Sequence, residues 1–164
     1  MREMREINFY LLDENYGFLS NFDRTPVIVD EDEDRIKREW VAASEGTWIE
    51  YPTNENYYQS EKAIDKKMKR WIASAPTPYA AMMAGRSLRK KEMVHNWDER
   101  KVAVMKKGLR AKFRNPTLRQ KLLDTGDAIL HEDSPTDMFW GKKGADMLGK
   151  LLMEVRDEIR AGKL

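Results

Sequence analysis

From Asn54 to the C-terminus this chain is punctuated by helix boundaries, and the segment before Asn54 is left as the place for a sheet. Thr53 or Asn54 can cap a first helix, and no Gly or Pro interrupts it before Pro76, so the pattern predicts a helix to about Ala73. Thr77 caps the next, with Pro78 at its first position, where a missing N–H costs nothing; that helix is expected to end near Lys90. Asn96 opens a third helix, and Glu99 can reach back as in a capping box. Met105, Leu109 and Phe113 make its buried stripe. Asn115-Pro116 start a short fourth helix that Gly126 closes. Leu148, Leu151, Leu152, Val155 and Ile159 then repeat at the spacing of a buried helical face.

Upstream, Ile7–Leu12, Pro26–Val29 and Trp48–Tyr51 read as short strands. Asn15-Tyr-Gly-Phe-Leu-Ser-Asn21 reads as a turn in which Gly17 supplies backbone freedom. The charged stretch from Asp30 to Gly46 reads as an exposed insertion with a helical turn around Arg35–Ala43. A chain of 164 residues suits one core. The expected fold is therefore α+β: a predominantly helical single domain over 1–164, with a small N-terminal antiparallel β element and a charged insertion at about 30–46.

Thirty basic residues against 28 acidic ones leave a net charge of +2, which argues against a protein held to nucleic acid by bulk charge. The charge is uneven: Asp30–Asp34 is acidic, and Lys62–Arg70, Arg86–Lys91 and Lys106–Arg114 are basic. Each such cluster reads first as a solvated face. There is no Cys, which removes disulfides, thiolate nucleophiles and Cys-ligated metals. His95 and His131 are far apart and no His-Glu-x-x-His occurs, so neither a metal nor a cofactor is expected. No apolar run reaches membrane-spanning length, and the charged N-terminus has no signal-peptide core. The expected location is cytoplasmic, with no membrane partner.

Two constellations carry chemistry. The first is Glu55, Gln59 and Lys62 within Pro52-Thr-Asn-Glu-Asn-Tyr-Tyr-Gln-Ser-Glu-Lys-Ala63. Spacings of four, three and seven put them on one helical stripe, beside Tyr58 and an apolar side continued by Ile64, Met68 and Trp71. A carboxylate, an amide and an amine beside aromatics can do acid–base or covalent chemistry; the same set can be a partly buried ion pair. The second runs through Leu130-His-Glu132 and Ser134-Pro-Thr-Asp-Met-Phe-Trp-Gly141. There Trp140 can stack on a base or anchor the core, and Gly141 can let backbone approach a ligand.

With the first turn added, the chain resembles the NADAR superfamily, named for its association with NAD and ADP-ribose. The matching pieces are Asn8-Phe-Tyr10, Tyr16-Gly-Phe-Leu-Ser-Asn-Phe22, Pro52-Thr-x-Glu-x-Tyr-Tyr-Gln-x-x-Lys62, Ala84-Gly-Arg86, Asn96-Trp97, Leu109-Arg-Ala-Lys-Phe113, Glu132, Asp137-Met-Phe-Trp-Gly141 and Leu148-Gly-x-Leu-Leu-Met-x-x-Arg156, in that order. The resemblance implies a largely helical α+β domain with a ribose- and phosphate-binding cleft, and cleavage of an N-glycosidic bond. Two substrate classes follow from it: ADP-ribose attached to guanine, in DNA or a nucleotide, and phosphoribosyl-aminopyrimidine intermediates of riboflavin synthesis. A catalytically silent ADP-ribose or NAD binder is a further reading, against which intact Glu55, Lys62 and Asp137 speak. Two departures stand out. Asn56 occupies a position where the family commonly has His, and Asp146-Met147 occupy an Asn-Arg position, where a carboxylate would repel a phosphate.

The resemblance also implies roles. Lys62 is the residue that would form a Schiff base with opened ribose. An amine must be neutral to do so, and burial against the neighbouring Tyr57 and Tyr58 would lower its pKa. Glu61, one position away, is expected to face outward. Glu55 and Asp137 would share the proton work, Asp137 having a turn cap as its structural alternative. Arg86 can clamp a phosphate or pair with an acid at a helix end. Ser20 and Asn21 can bind ribose hydroxyls or satisfy their own turn. Tyr16, Gly17, Gln59, Trp97, Glu132, Trp140 and Gly141 complete the implied substrate-binding set.

Overall fold

A computed structural model describes residues 5–30 and 48–164, so the charged insertion at about 30–46, with its expected turn at Arg35–Ala43, lies outside the described residues apart from Asp30. Described residues divide into two compact units: Arg24–Ala111 is one, and the stretch up to Asp23 together with Lys112–Leu164 is the other. The architecture is α+β and predominantly helical, with two small two-stranded sheets.

In the first unit, β2 (Val27–Asp30) runs antiparallel to β3 (Trp48–Tyr51), with Val27 opposite Tyr51 and Val29 opposite Ile49. Val27 and Val29 are buried while Ile28 between them is exposed, the two-residue alternation of a half-covered sheet. Tyr57 packs into the cluster that these valines form with Tyr51 and Ala111, its ring edge-on to Tyr51 at 5.2 Å. Four helices follow: α1 (Asn54–Ser60), α2 (Lys66–Ala73), α3 (Pro78–Arg86) and α4 (Trp97–Lys112). Thr77 caps α3 with Pro78 at its start, as expected. That helix stops at Arg86, short of Lys90. Asn96, before α4, sits at φ 61, a left-handed conformation Asn tolerates, and its carbonyl accepts from the Glu99 and Arg100 N–H groups.

The single helix expected from Asn54 to Ala73 is two. After Glu61 the chain pairs with a distant strand-like segment: Val94 N–H donates to the Lys62 carbonyl at 2.9 Å, Ile64 N–H donates to the Glu92 carbonyl at 3.1 Å, and Ala63 bridges Met93. Asp65 then caps α2 through Met68 N–H. The break reverses the expected burial. Ile64 and Trp71 are 55% and 59% exposed, and Ile72 enters the core with Ala63, Ala81, Ala84 and Leu88 instead.

In the second unit, β1 (Glu6–Phe9) pairs parallel with β4 (Ile129–Glu132), Glu6 opposite Ile129 and Phe9 opposite Glu132. The expected strand to Leu12 ends early, and β4 answers to no strand expected from the sequence. Parallel partners need a long crossover, so no local pattern announces them. Asn115 caps α5 (Pro116–Asp124) through the Thr117 and Leu118 N–H groups, and Gly126 follows at φ 61. The last helix, α6 (Met147–Arg160), buries Leu148, Leu151, Leu152, Val155 and Ile159. Arg156, also buried, donates to Thr125 Oγ1 and the Ala128 carbonyl, both at 2.9 Å, and ties α6 to the loop before β4.

Candidate active site

All seven residues of α1 are buried, although four are Asn, Glu, Asn and Gln. Such a helix is stable only if its polar groups find partners. Asn56, the departure from the family pattern, does so structurally: its amide donates to the carbonyls of Ala73 and Ala75 at 3.1 Å and fastens α1 to the end of α2. Thr53 accepts from Asn56 N–H at 3.1 Å, fixing the helix start. Asn54 donates to Met105 Sδ at 3.6 Å. One turn further on, Gln59 Nε2 donates to Glu55 Oε1 at 2.7 Å, the i,i+4 pair read from the sequence. Gln59 Oε1 is buried without a hydrogen-bond partner and lies where a Cβ on Gly85 would be, 2.0 Å away, so Gly85 is what admits the amide.

Lys62 joins this pair by a different route from the one expected. It lies beyond α1, held by its own N–H on the Gln59 carbonyl at 3.2 Å and by its carbonyl on Val94 N–H. Its amine stands 5.6 Å from the Tyr58 ring centre and 6.0 Å from that of Trp97; the two rings are 5.2 Å apart and form one aromatic wall. Burial lowers the Lys62 pKa from its ordinary 10.5, the nearby charges of Arg86 and Lys101 lower it further, and Glu55 alone opposes them. Tyr58 and Trp97 face the amine, whereas Tyr57 turns to the sheet core. Glu61 is drawn off to Lys69 at 2.9 Å, so it leaves Lys62 alone as expected. Arg86 is exposed and, among the described residues, has no carboxylate partner. Lys101 was missed by the sequence reading; it sits four residues after Trp97 on α4, the spacing that puts both on one face.

The remaining expected residues belong to the second unit, and there the backbone uses most of them. Ser20 Oγ accepts from Phe22 N–H at 3.1 Å. Gly17 begins a short 3₁₀ turn, and a Cβ on it would meet the Leu12 carbonyl at 2.4 Å. Tyr16 hydrogen-bonds Arg5 through its hydroxyl, and Asn21 is buried. Asp137 Oδ1 accepts from the N–H groups of Phe139 at 2.9 Å and Trp140 at 2.8 Å, the turn cap anticipated as its alternative. Trp140 is 9% exposed and edge-on to Phe139 at 4.7 Å. A Cβ on Gly141 would meet the Asp137 carbonyl at 2.5 Å, so this glycine serves the turn. Glu132 is half-buried on β4. Asp146, at φ 56 before α6, places Oδ2 2.5 Å from His131 Nδ1, so its carboxylate has a hydrogen-bond partner in the His131 ring.

Lys112 escaped the sequence reading although it continues the Met105, Leu109 stripe by three residues. It is completely buried, donates to the Ser20 carbonyl at 2.7 Å and lies 3.9 Å from Asp23. Burial, opposed only by Asp23, lowers its pKa to about 8. The unfolded chain keeps this proton up to about 10.5, so between the two values unfolding takes up a proton and the group's contribution to stability rises with pH. Below about 8 both states are protonated and the penalty, about 3 kcal/mol, applies in full. Chemical unfolding across this window should show wild type gaining stability relative to Lys112→Met as pH rises. Parallel curves would show that Lys112 titrates normally in the fold.

Among the described residues no group of three or more His, Cys, Asp or Glu comes together as a metal site, and no helix is long and apolar enough to cross a membrane. The NADAR domain model matches residues 8–160. "N-glycosidase YbiA" of Escherichia coli (strain K12) is 38% identical over 162 residues, spanning 96% of this chain and 90% of that protein. "N-glycosidase Npun_R5314" of Nostoc punctiforme is 34% identical, spanning 94% and 92%. "Riboflavin biosynthesis protein VVA0006" of Vibrio vulnificus is 34% identical over 94% of this chain but 38% of its own length. The NMR structure of the E. coli protein YbiA superposes with a TM-score of 0.79 at 34% identity, covering 99% of this chain and 89% of that one.

Proposed function

This chain belongs to the NADAR family, and on that basis we propose that it is an N-glycosidase that cleaves the bond between ribose C1′ and a heterocycle nitrogen, with Lys62 as its covalent residue. The observation that carries the reading is the Lys62 amine: its pKa is lowered by burial, it stands over the Tyr58–Trp97 wall, and it feels the charge of Glu55. A ribosyl–nitrogen bond resists cleavage because the nitrogen leaves poorly and C1′ must carry positive charge. In the proposed route the ring oxygen leaves C1′ with a proton from water, the Glu55 carboxylate stabilises the positive charge that develops at C1′, and neutral Lys62 adds to C1′. The heterocycle then departs carrying the Lys62 proton, leaving an iminium between Lys62 and the opened sugar. Water hydrolyses the iminium, and the sugar recloses. Gln59, hydrogen-bonded to Glu55, keeps the carboxyl in one orientation.

The substrate we propose is ADP-ribose joined to guanine. The positive charge of Arg86 and Lys101 around the amine suits its diphosphate. The names of relatives such as VVA0006 support a second reading, phosphoribosyl-aminopyrimidines of flavin synthesis. Separate incubations with ADP-ribosylated guanine DNA and with the flavin-pathway intermediates, read by mass spectrometry of the released base and sugar, decide between them. Release from neither would overturn the enzymatic reading.

A pH dependence follows from Lys62. Its amine must be neutral to add to C1′, so kcat should rise with pH through the lowered pKa and level off below the ordinary 10.5. Lys62→Arg, which stays protonated throughout, should show no ascending limb and no turnover. A pH-independent wild-type rate would argue that Lys62 is not the group that adds.

A further inference from the structure

The exposed sides of α2 and α3 are built unlike merely solvated faces. Between Lys62 and Lys91 the chain carries nine basic residues and one acidic one, Asp65, which is spent as the α2 cap. Lys66 and Lys67 occupy the first turn of α2, the end where cations oppose the helix dipole, so helix stability does not account for them. Lys67, Arg70 and Trp71 share the side of α2 opposite buried Ile72, and Lys66, Lys67 and Arg70 have no carboxylate partner among the described residues. On α3, Tyr79, Met83 and Arg86 share the side opposite buried Ala81 and Ala84. Trp71 is 59% exposed and Tyr79 60%, ring area that a stable fold gains nothing by presenting to water. The α3 side ends at Arg86, whose charge acts on Lys62, so that side of α3 leads toward the candidate site.

We propose that these two exposed sides act together as one face that binds single-stranded polynucleotide, with cations along the phosphates and unpaired bases stacked on Trp71 and Tyr79. Interleaved cations and exposed aromatics are the pattern that holds single strands without reading sequence. Charge alone would serve an anionic membrane or an acidic protein as well; two large aromatic faces among the cations favour bases. The proposal deepens the reading of the site as one that releases ADP-ribose from guanine, because it makes a polynucleotide rather than a free nucleotide the carrier of that guanine.

Fluorescence anisotropy with a labelled, unmodified single-stranded oligonucleotide and the full chain tests it. Wild type should bind, with affinity falling as salt rises. Trp71→Ala and Tyr79→Ala should each weaken binding by about tenfold, the loss of one stacked base. Lys66→Gln/Lys67→Gln/Arg70→Gln should lower the log–log salt slope by about 2, since each lost phosphate contact on a single strand removes about 0.7. Melting temperatures of these surface variants should match wild type. Turnover of free ADP-ribosyl-guanosine should not change in Trp71→Ala, which separates this proposal from the catalytic one: no turnover by wild type defeats the catalytic reading while leaving the binding face to stand or fall by anisotropy. Equal binding by Trp71→Ala and wild type, duplex bound as tightly as single strand, or tighter binding to phosphatidylserine vesicles or polyglutamate would overturn the nucleic-acid face.

Discussion

Lys62→Ala should lose turnover by about 10³-fold or more while keeping the fold, because the proposed route runs through a covalent bond to its amine and no neighbouring group replaces it. Ground-state binding should change little, since Arg86 and the aromatic wall remain. Stability supplies an independent signature. Burial lowers the Lys62 pKa, so at neutral pH the folded state pays to keep this amine charged. Lys62→Met, which keeps the aliphatic contact with Tyr58 and Trp97, should melt at or above the wild-type temperature while being inactive. Activity lost together with stability would mark Lys62 as a structural ion-pair member. Activity retained would remove it from the reaction.

Gly149→Ala should be among the most damaging small changes in the scaffold. Its Cβ would stand 1.8 Å from the Leu130 carbonyl oxygen and 2.7 Å from its carbon, both backbone atoms of β4 that no rotamer change can move. Alanine gains at most about 1 kcal/mol of helix propensity at this position in the first turn of α6. Forcing α6 off β4 costs about 3 kcal/mol or more, so the clash wins. Against a total stability of about 5–15 kcal/mol that is a large fraction. Urea unfolding should show a midpoint well below wild type. Gly126→Ala, with nothing within 4 Å of its Cβ, should lose less, and only through its φ of 61. Equal loss in both would mean that the α6–β4 seam yields without cost.

These two positions mark what was legible in the chain and what was not. Local signals carried: Thr77-Pro78 and Asn115-Pro116 open helices where they should, and the Leu148–Ile159 stripe is buried throughout. Non-local pairing did not. The break after Glu61 involves no Gly or Pro; it arises because Lys62 and Ile64 bond to Val94 and Glu92, thirty residues away in the chain. The parallel partnership of β1 with β4 is hidden for the same reason. In the candidate site, Glu55 and Gln59 were readable because an i,i+4 pair is a property of one helix. Lys62 was reached from a stripe that the fold does not extend to it, and a turn brings it to the pair instead. Asp137 and Gly141 show the converse. Beside the ligand contact that their residue types suggested, Asp137 Oδ1 and the close approach at Gly141 serve the turn between β4 and α6. Lys112 looked like one charge in a basic cluster, and only the packing shows it wholly buried.

The most direct test of the Lys62 chemistry is borohydride trapping during turnover. Incubation of the protein with ADP-ribosylated guanine, or with ADP-ribose itself, in the presence of borohydride should reduce the iminium to a stable amine. Peptide mass mapping should then place the sugar's added mass on Lys62 within the segment from Asn54 to Lys66, with none in Lys62→Ala. An adduct on another lysine, or turnover that continues in borohydride with no adduct anywhere, would contradict the account.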